Sequence, residues 1–331
     1  MKTTNDPTNN LSVRDLEILI GNLDVEFVWL SHCLVSTGYR LDLGGINFPG
    51  IHYNIHGNGR LVIRGRHSVD LEPHTLVIVP PNSPFTIEAP GDRQRPEDLQ
   101  TVSAMGVVEK KNEVYQFIAG DALDARINLV CGFFRASYGQ TTDLFAELDA
   151  PIIEKFGPEA QIGSRLRSAV AEFLSHEVGS DAMSAALLKQ VIILLLRRSL
   201  VCSGVWMERF QLLRDPRIAR VFAAMVADPG ADHSLKSLAA IALMSRSAFV
   251  STFGEIVGKT PMATLRDLRM RHAAQLLKYS HLDIDQVSQQ SGYESKTSFT
   301  RAFREAYGKL PNEYRAEFAD ANPWNGDCPG K

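Results

Sequence analysis

Three arginines in the stretch GRLVIRGRH, Arg60, Arg64 and Arg66, are separated by even steps, so an extended chain carries their guanidinium forks on one face. Such forks match the oxygens of phosphates and carboxylates, and His52, His56 and His74 stand nearby in sequence. The stretch reads as an anion-binding face, with Arg60, Arg64, Arg66, His52 and His56 as its candidate residues, or as a solvated edge strand whose charge deters aggregation. A second chemistry lies in GYESKTSFTRAFREAYG, Gly292 to Gly308. Its rings Phe299, Phe303 and Tyr307 recur every four residues, the spacing of a buried helical stripe, and the gaps hold hydroxyls and cations. On an exposed helical face, Ser, Thr, Lys and Arg suit the phosphate oxygens and base edges of double-stranded DNA.

The elements that must position this second face occur twice. ALMSRSAFVSTFGEIVGKTP, from Ala242, aligns with SGYESKTSFTRAFREAYGKLP at an offset of 50. Ser245 then matches Ser295, Phe249 Phe299, Phe253 Phe303, Glu255 Glu305, Gly258 Gly308 and Pro261 Pro311. A short helical segment precedes each copy, with Leu235 and Leu238 matching Ile284 and Val287 at an offset of 49. Short helix, tight turn and longer helix make the helix-turn-helix unit, and Gly292 supplies the turn in the second copy. Between the copies, PMATLRDLRMRHAAQLLKYS reads as one helix of about 30 Å. That length is close to the roughly 34 Å between half-sites one DNA turn apart. The DNA-facing residues are expected to be Ser245, Arg246, Ser247, Val250 and Ser251 in the first copy, and Glu294, Ser295, Lys296, Thr297, Thr300, Arg301 and Arg304 in the second.

The rest of the chain frames these faces. From about Val25 to Val130, short alternating runs broken by Gly and Pro predict a small β-barrel or jelly roll, with half-buried alternation around Ile51 to His56. After Pro151 the period changes to that of helices, and the second helix is apolar nearly all round from Val191 to Leu196, as an interior helix or a dimer seam is. The expected fold class is α+β multidomain. Residues 1–150 form the barrel, 151–205 a helical dimerisation and linker segment, 213–317 an all-α domain with two helix-turn-helix units joined by a long helix, and 318–331 a tail. The net charge of −3 over 331 residues conceals an asymmetry, since Asp215 to Arg315 holds 14 Lys and Arg against 10 Asp and Glu. A mildly basic module is attached to an acidic body. No apolar run approaches the roughly 18 residues of a membrane span, and the N-terminal residues lack a signal-peptide core, so a cytoplasmic protein without a membrane partner is expected. Cys33, Cys131, Cys202 and Cys328 show no CxxC spacing, which predicts plain thiols, with a redox pair of Cys33 and Cys131 as the alternative.

From about Asp215 to Arg315 the chain resembles the AraC/XylS family of bacterial transcription regulators. The residues that carry the resemblance are Gly292-Tyr293-x-Ser295, Phe299-x-Arg301-x-Phe303, Gly308, Pro311 and Tyr314-Arg315. It implies a homodimer that binds promoter DNA, works with RNA polymerase, more often as an activator, and answers a small-molecule effector. The first copy departs from the family pattern at Leu243, where a turn glycine is usual, and at Val250-Ser251-Thr252, where basic residues are usual. The N-terminal part looks like the cupin-type effector domain of this family followed by dimerisation helices. Catalytic cupins hold a metal with two His, a Glu and a later His; here no Glu follows His52 and His56 at suitable spacing, and Phe85 stands at the later position. The resemblance therefore implies a binding barrel without metal or cofactor and no enzyme, the alternative being a metal-dependent cupin enzyme. Arg60-Leu-Val-Ile-Arg64 is similar to the RxxxR element with which PilZ-type domains hold cyclic di-GMP, which makes cyclic di-GMP the named effector and a sugar or sugar acid the alternative.

Overall fold

The computed structural model describes residues 11–65, 68–91, 94–104, 108–111, 114–138, 142–146, 148–175, 177–201, 212 and 215–319. Described residues in the spans Asp24–Ala136 and Asp143–Phe210 form one compact unit, and those in Met1–Leu23, Ser137–Thr142 and Gln211–Lys331 form another.

The first unit is built on strands β1 (Asp24–Ser36), β2 (Tyr39–Leu43), β3 (Gly50–His56), β4 (Gly59–Ile63), β5 (Ser68–Leu71), β6 (Thr75–Val79), β7 (Phe85–Ala89), β8 (Gln100–Ser103), β9 (Val108–Lys111), β10 (Val114–Ala119), β11 (Ala125–Tyr138), β12 (Thr142–Asp143) and β13 (Ile152–Lys155). One sheet has the order β13-β6-β3-β11-β1-β10-β9, with β12 added beside β11, and the other the order β5-β4-β7-β2-β8. Alternate residues of both sheets share one core. Leu41 and Leu43, Leu61 and Ile63, and Phe85 and Ile87 of the smaller sheet meet Cys33, Val35, Val77, Val79, Ile127, Leu129 and Cys131 of the larger. Each such aliphatic side chain contributes about 1.5 to 3 kcal/mol when fully buried, which makes this the main stabilising layer of the unit. The cupin-like sheet architecture that the resemblance implied is present.

Strand β3 differs from its sequence pattern. Gly50 through Asn54 are buried without alternation. The strand lies between β6 and β11, and its far face is covered by helix α2 (Ile162–Ser175). Gly163 allows that approach, since a Cβ there would come within 2.9 Å of Tyr53 Cε1. Helix α3 (Ser180–Val201) packs on α2 and β1, with Leu188, Val191, Ile192, Leu195 and Leu196 buried and Met183 and Gln190 exposed. Its apolar middle is thus largely interior.

The second unit is helical. Its elements are α4 (Pro216–Ala227), α5 (Leu235–Ile241), α6 (Arg246–Val257), α7 (Pro261–Tyr279), α8 (Ile284–Gln290), α9 (Lys296–Tyr307) and α10 (Pro311–Ala319). It also includes α1 (Val13–Asn22), far away in sequence. Leu16 and Leu19 of α1 are buried, the helix packs on α4, and Arg271 Nη2 of α7 donates to Asn22 O at 2.7 Å. Tyr138, at the end of β11, stacks edge-on against Phe222 of α4 with centroids 5.1 Å apart. A division of the chain at residue 150 therefore differs from the observed one, because an amphipathic segment does not reveal in sequence which surface it will cover.

Candidate nucleic-acid interface

Each helix-turn-helix unit is specified locally. The short helices begin with reciprocal capping boxes, Ser234 with Ser237 for α5 and Asp283 with Gln286 for α8. The turns that follow are superposable in their hydrogen bonds. Leu243 N donates to Ala240 O and Met244 N to Ala239 O, while Gly292 N donates to Gln289 O and Tyr293 N to Ser288 O. Both turn residues are left-handed, Leu243 at φ 55° and Gly292 at φ 75°. Leucine there bears a steric cost that glycine does not. The longer helices start at N-caps Ser245 and Ser295 and stop at left-handed Gly258 and Gly308.

The rings hold these helices to the module. Phe249 and Phe253 are fully buried 5.6 Å apart, as are Phe299 and Phe303 at 5.8 Å. Phe303 continues into Tyr307 at 4.7 Å and Tyr314 at 5.3 Å, and this group packs on Met270, Ala273, Ala274 and Leu277 of α7. With the rings fixed inward, the opposite faces are free. Arg246, Ser247, Ser251, Glu294, Lys296, Thr297, Arg301 and Arg304 are exposed, and Val250 and Thr300 half-buried. A shallow cleft on the second face is lined by Lys296, Thr297, Thr300, Arg301, Arg304, Glu305 and Leu310.

Not every predicted contact is equally available. Ser245 and Ser295 are exposed, but each hydroxyl oxygen accepts the backbone N–H of Ala248 or Ser298, and Ser295 also donates to Ser298 Oγ at 3.0 Å. Lys296 is paired with Asp285 of α8 at 3.0 Å, both side chains more than half exposed. Such a surface pair is weak and exchanges readily for a phosphate. In the first unit Ser251 donates to Glu255 at 2.9 Å, leaving Arg246 as the cation among its predicted contacts. The second face, with Lys296, Arg301 and Arg304, is the more positive.

The arginine face of the barrel unit is organised differently from its sequence reading. On β4 the odd residues Leu61 and Ile63 face the core, so Arg60 and Val62 face outward; on β3 the even residue His52 is deeply buried. Parity changes at Gly57, which has φ 85° and whose Cβ would collide with Arg126 O at 1.6 Å. His52, on the larger sheet, is buried in the core, while Arg60, on the smaller sheet, faces away from it, and His56 is exposed at the end of β3. Neither His52 nitrogen has a hydrogen-bond partner, Phe85 lies 4.5 Å away and Phe133 6.3 Å, and burial pushes the imidazole pKa down to about 3. Among the described residues, no three His, Cys, Asp or Glu side chains come together as a metal-binding group. Arg66 lies outside the described residues.

Outside the smaller sheet, Arg40, Asp42, Val62, Arg64, Thr86, Glu88 and Thr101 line a groove. Glu88, 3% exposed, pairs with Arg40 at 2.6 Å and with Arg60 at 3.1 Å. Arg40 and Glu88 escaped the sequence reading, although the strict alternation Arg40-Leu41-Asp42-Leu43 on β2 places Arg40 outward. Cys33 and Cys131 are buried in the core of this unit; burial raises the Cys131 thiol pKa, and hydrogen bonding with Cys33 raises it further.

A family model described as a helix-turn-helix domain matches residues 238–317, and one described as cupin matches residues 31–200. The chain is 32% identical over 145 residues to the RCS-specific HTH-type transcriptional activator RclR of Escherichia coli (strain K12), covering 44% of this chain and 51% of that protein. It is 40% identical over 105 residues to the HTH-type transcriptional regulator AlkR of Acinetobacter baylyi, covering 32% of this chain and 34% of that protein. It thus spans about half the length of one relative and a third of the other. Among solved structures, the DNA-binding domain of AdpA in complex with a target DNA is similar at 30% identity and a TM-score of 0.31, over 32% of this chain and 95% of that one.

Proposed function

Because the chain belongs to the AraC/XylS family and carries a cupin domain ahead of its double helix-turn-helix module, we propose that it regulates transcription by presenting α6 and α9 to successive major grooves of one DNA face. The observation that carries this reading is the pair of exposed polar helix faces joined by α7. Its 19 residues span about 28 Å, close to the roughly 34 Å of one DNA turn. Thr297, Arg301 and Arg304 read or grip the second half-site, with Lys296 released from Asp285 toward a phosphate. Arg246, Ser247 and Val250 face the first, where Val250 suits a thymine methyl. Full-length protein incubated with a randomised duplex library should enrich two half-sites about one helical turn apart, with affinity falling steeply with salt. Enrichment of no sequence at all would overturn the reading.

The finer reading concerns control. The protein binds rather than transforms its ligand, acts in the cytoplasm as a homodimer through the α2 and α3 segment, and works with RNA polymerase as an activator. That the relative RclR is a transcriptional activator supports that sign. The effector is an anion held by Arg64, which lines the groove, and by Arg60, whose ion-pair partner Glu88 lines it, with Arg66 close in sequence. Supporting this, Arg60 Nε is buried without a hydrogen-bond partner. Cyclic di-GMP is the first compound to try, and a sugar acid the second. A thermal-shift screen of the full chain decides between them, since a ligand at a hundred times its Kd stabilises by about 2.7 kcal/mol.

A further inference from the structure

The two helix-turn-helix units are joined along the chain only through α7, and one helix leaves two bodies free to rock about its ends. A second connection lies beside it. Arg269, midway along α7, donates from Nε to Pro229 O at 2.9 Å and from Nη2 to Ala231 O at 3.0 Å. Those carbonyls belong to the turn after α4, in the first half of the module. The same guanidinium lies against the turn between α8 and α9, in the second half. A Cβ on Gly292 would come within 2.8 Å of both Arg269 Cζ and Gly230 O, and a Cβ on Gly230 within 2.0 Å of Gln290 O. Two glycines therefore bring the two turns together backbone to backbone, with the arginine fork set where they meet.

We propose that Arg269 is a positioning residue that locks the two recognition helices of one chain into a fixed relative aim. The inference rests on the DNA-binding reading for its biological meaning, but the lock itself is a property of the free protein. A guanidinium reaches two carbonyls at once in a rigid fork, which a lysine ammonium on a flexible stem does not. Gly292 thereby has two duties, the left-handed turn that aims α9 and the space that admits Arg269. With the lock in place, the first unit's docking presents the second at high effective concentration to its own groove; without it, that advantage shrinks while each unit keeps its own contacts.

The test uses the full chain with Ser247→Cys and Thr297→Cys carrying spin labels on the exposed faces of α6 and α9, and with Cys202 and Cys328 replaced by serine. Pulsed electron resonance should give one narrow label-to-label distance, a distribution roughly twice as broad in Arg269→Ala, and an intermediate width in Arg269→Lys. Unlabelled proteins are then compared on a duplex selected by the wild-type chain. Arg269→Ala should bind the two-half-site duplex on the order of tenfold more weakly and tolerate one or two inserted base pairs, while single half-sites are bound as before. An unchanged distance distribution overturns the proposal, and so does an equal loss on single and paired half-sites. If the wild-type chain selects no duplex, the DNA-binding reading fails, and the spin-label distances still decide whether Arg269 is a lock.

Discussion

Replacing His52 with leucine should remove that residue's share of the acid sensitivity of the barrel unit. The imidazole is 1% exposed, neither nitrogen has a partner, and burial pushes its pKa from 6.5 down to about 3. In the unfolded chain the ring takes up a proton as pH falls through 6.5, whereas the folded protein resists until about 3. Acid thus favours unfolding, and stability drains away between those two values, at about 1.4 kcal/mol per pKa unit. From pH 7 to pH 5 the loss is about 2 kcal/mol, rising to about 4 kcal/mol by pH 3. Leucine gives up no hydrogen bond, so the variant should lie within about 1.5 kcal/mol of wild type at pH 7. The assay is urea denaturation at both pH values, followed by Trp29 fluorescence with Trp206 and Trp324 replaced by phenylalanine. His32, whose pKa burial also lowers, is common to both proteins and cancels in the difference. Equal losses in the two proteins between pH 7 and pH 5 would refute the reasoning and mean that the His52 ring is hydrated or partnered in solution.

Arg301→Ala should weaken DNA binding by on the order of 1 to 3 kcal/mol where it reads a guanine, and Lys296→Ala by less, because the ammonium leaves an existing Asp285 pair to bind; equal affinity at matched salt counts against either assignment. Leu243→Gly should stabilise the helical unit by about 1 kcal/mol, since the left-handed backbone strains leucine and the side chain is 69% exposed and gives up little burial. A lower melting midpoint would contradict this. Glu88→Ala should cost on the order of 2 kcal/mol, less than a fully buried pair would, because Arg40 and Arg60 are 25% and 31% exposed; denaturation at neutral pH measures it. Arg60→Ala combined with Arg64→Ala should abolish the effector response and leave basal DNA affinity intact, which anisotropy with and without cyclic di-GMP or a sugar acid will read.

The helical module was legible in sequence because its devices are local and repeated. Phenylalanines four apart, serine N-caps and glycine stops all act within a few residues, so a repeat with an offset of 50 displays each of them twice, and the turn glycine appears once, at Gly292. The departure at Leu243 proved to be one of composition alone, since its backbone follows Gly292. The barrel was legible only as a class of fold. That His52 and Arg60 share no face follows from a parity change at Gly57, and the burial of β3 on both faces depends on α2, more than 100 residues later. The placement of α1 and the reach of Arg269 across two turns are likewise tertiary facts. Nothing in their own stretches of sequence announces them.

The proposed function requires two recognition helices to read successive grooves of one DNA face. Methylation interference on a selected duplex tests this most directly, because it reports which guanine N7 positions in the major groove must stay open. The expected pattern is two clusters of interference about 10 base pairs apart on the same face, the stronger one at the half-site met by Arg301 and Arg304. One cluster only, or two on opposite faces of the duplex, would contradict it.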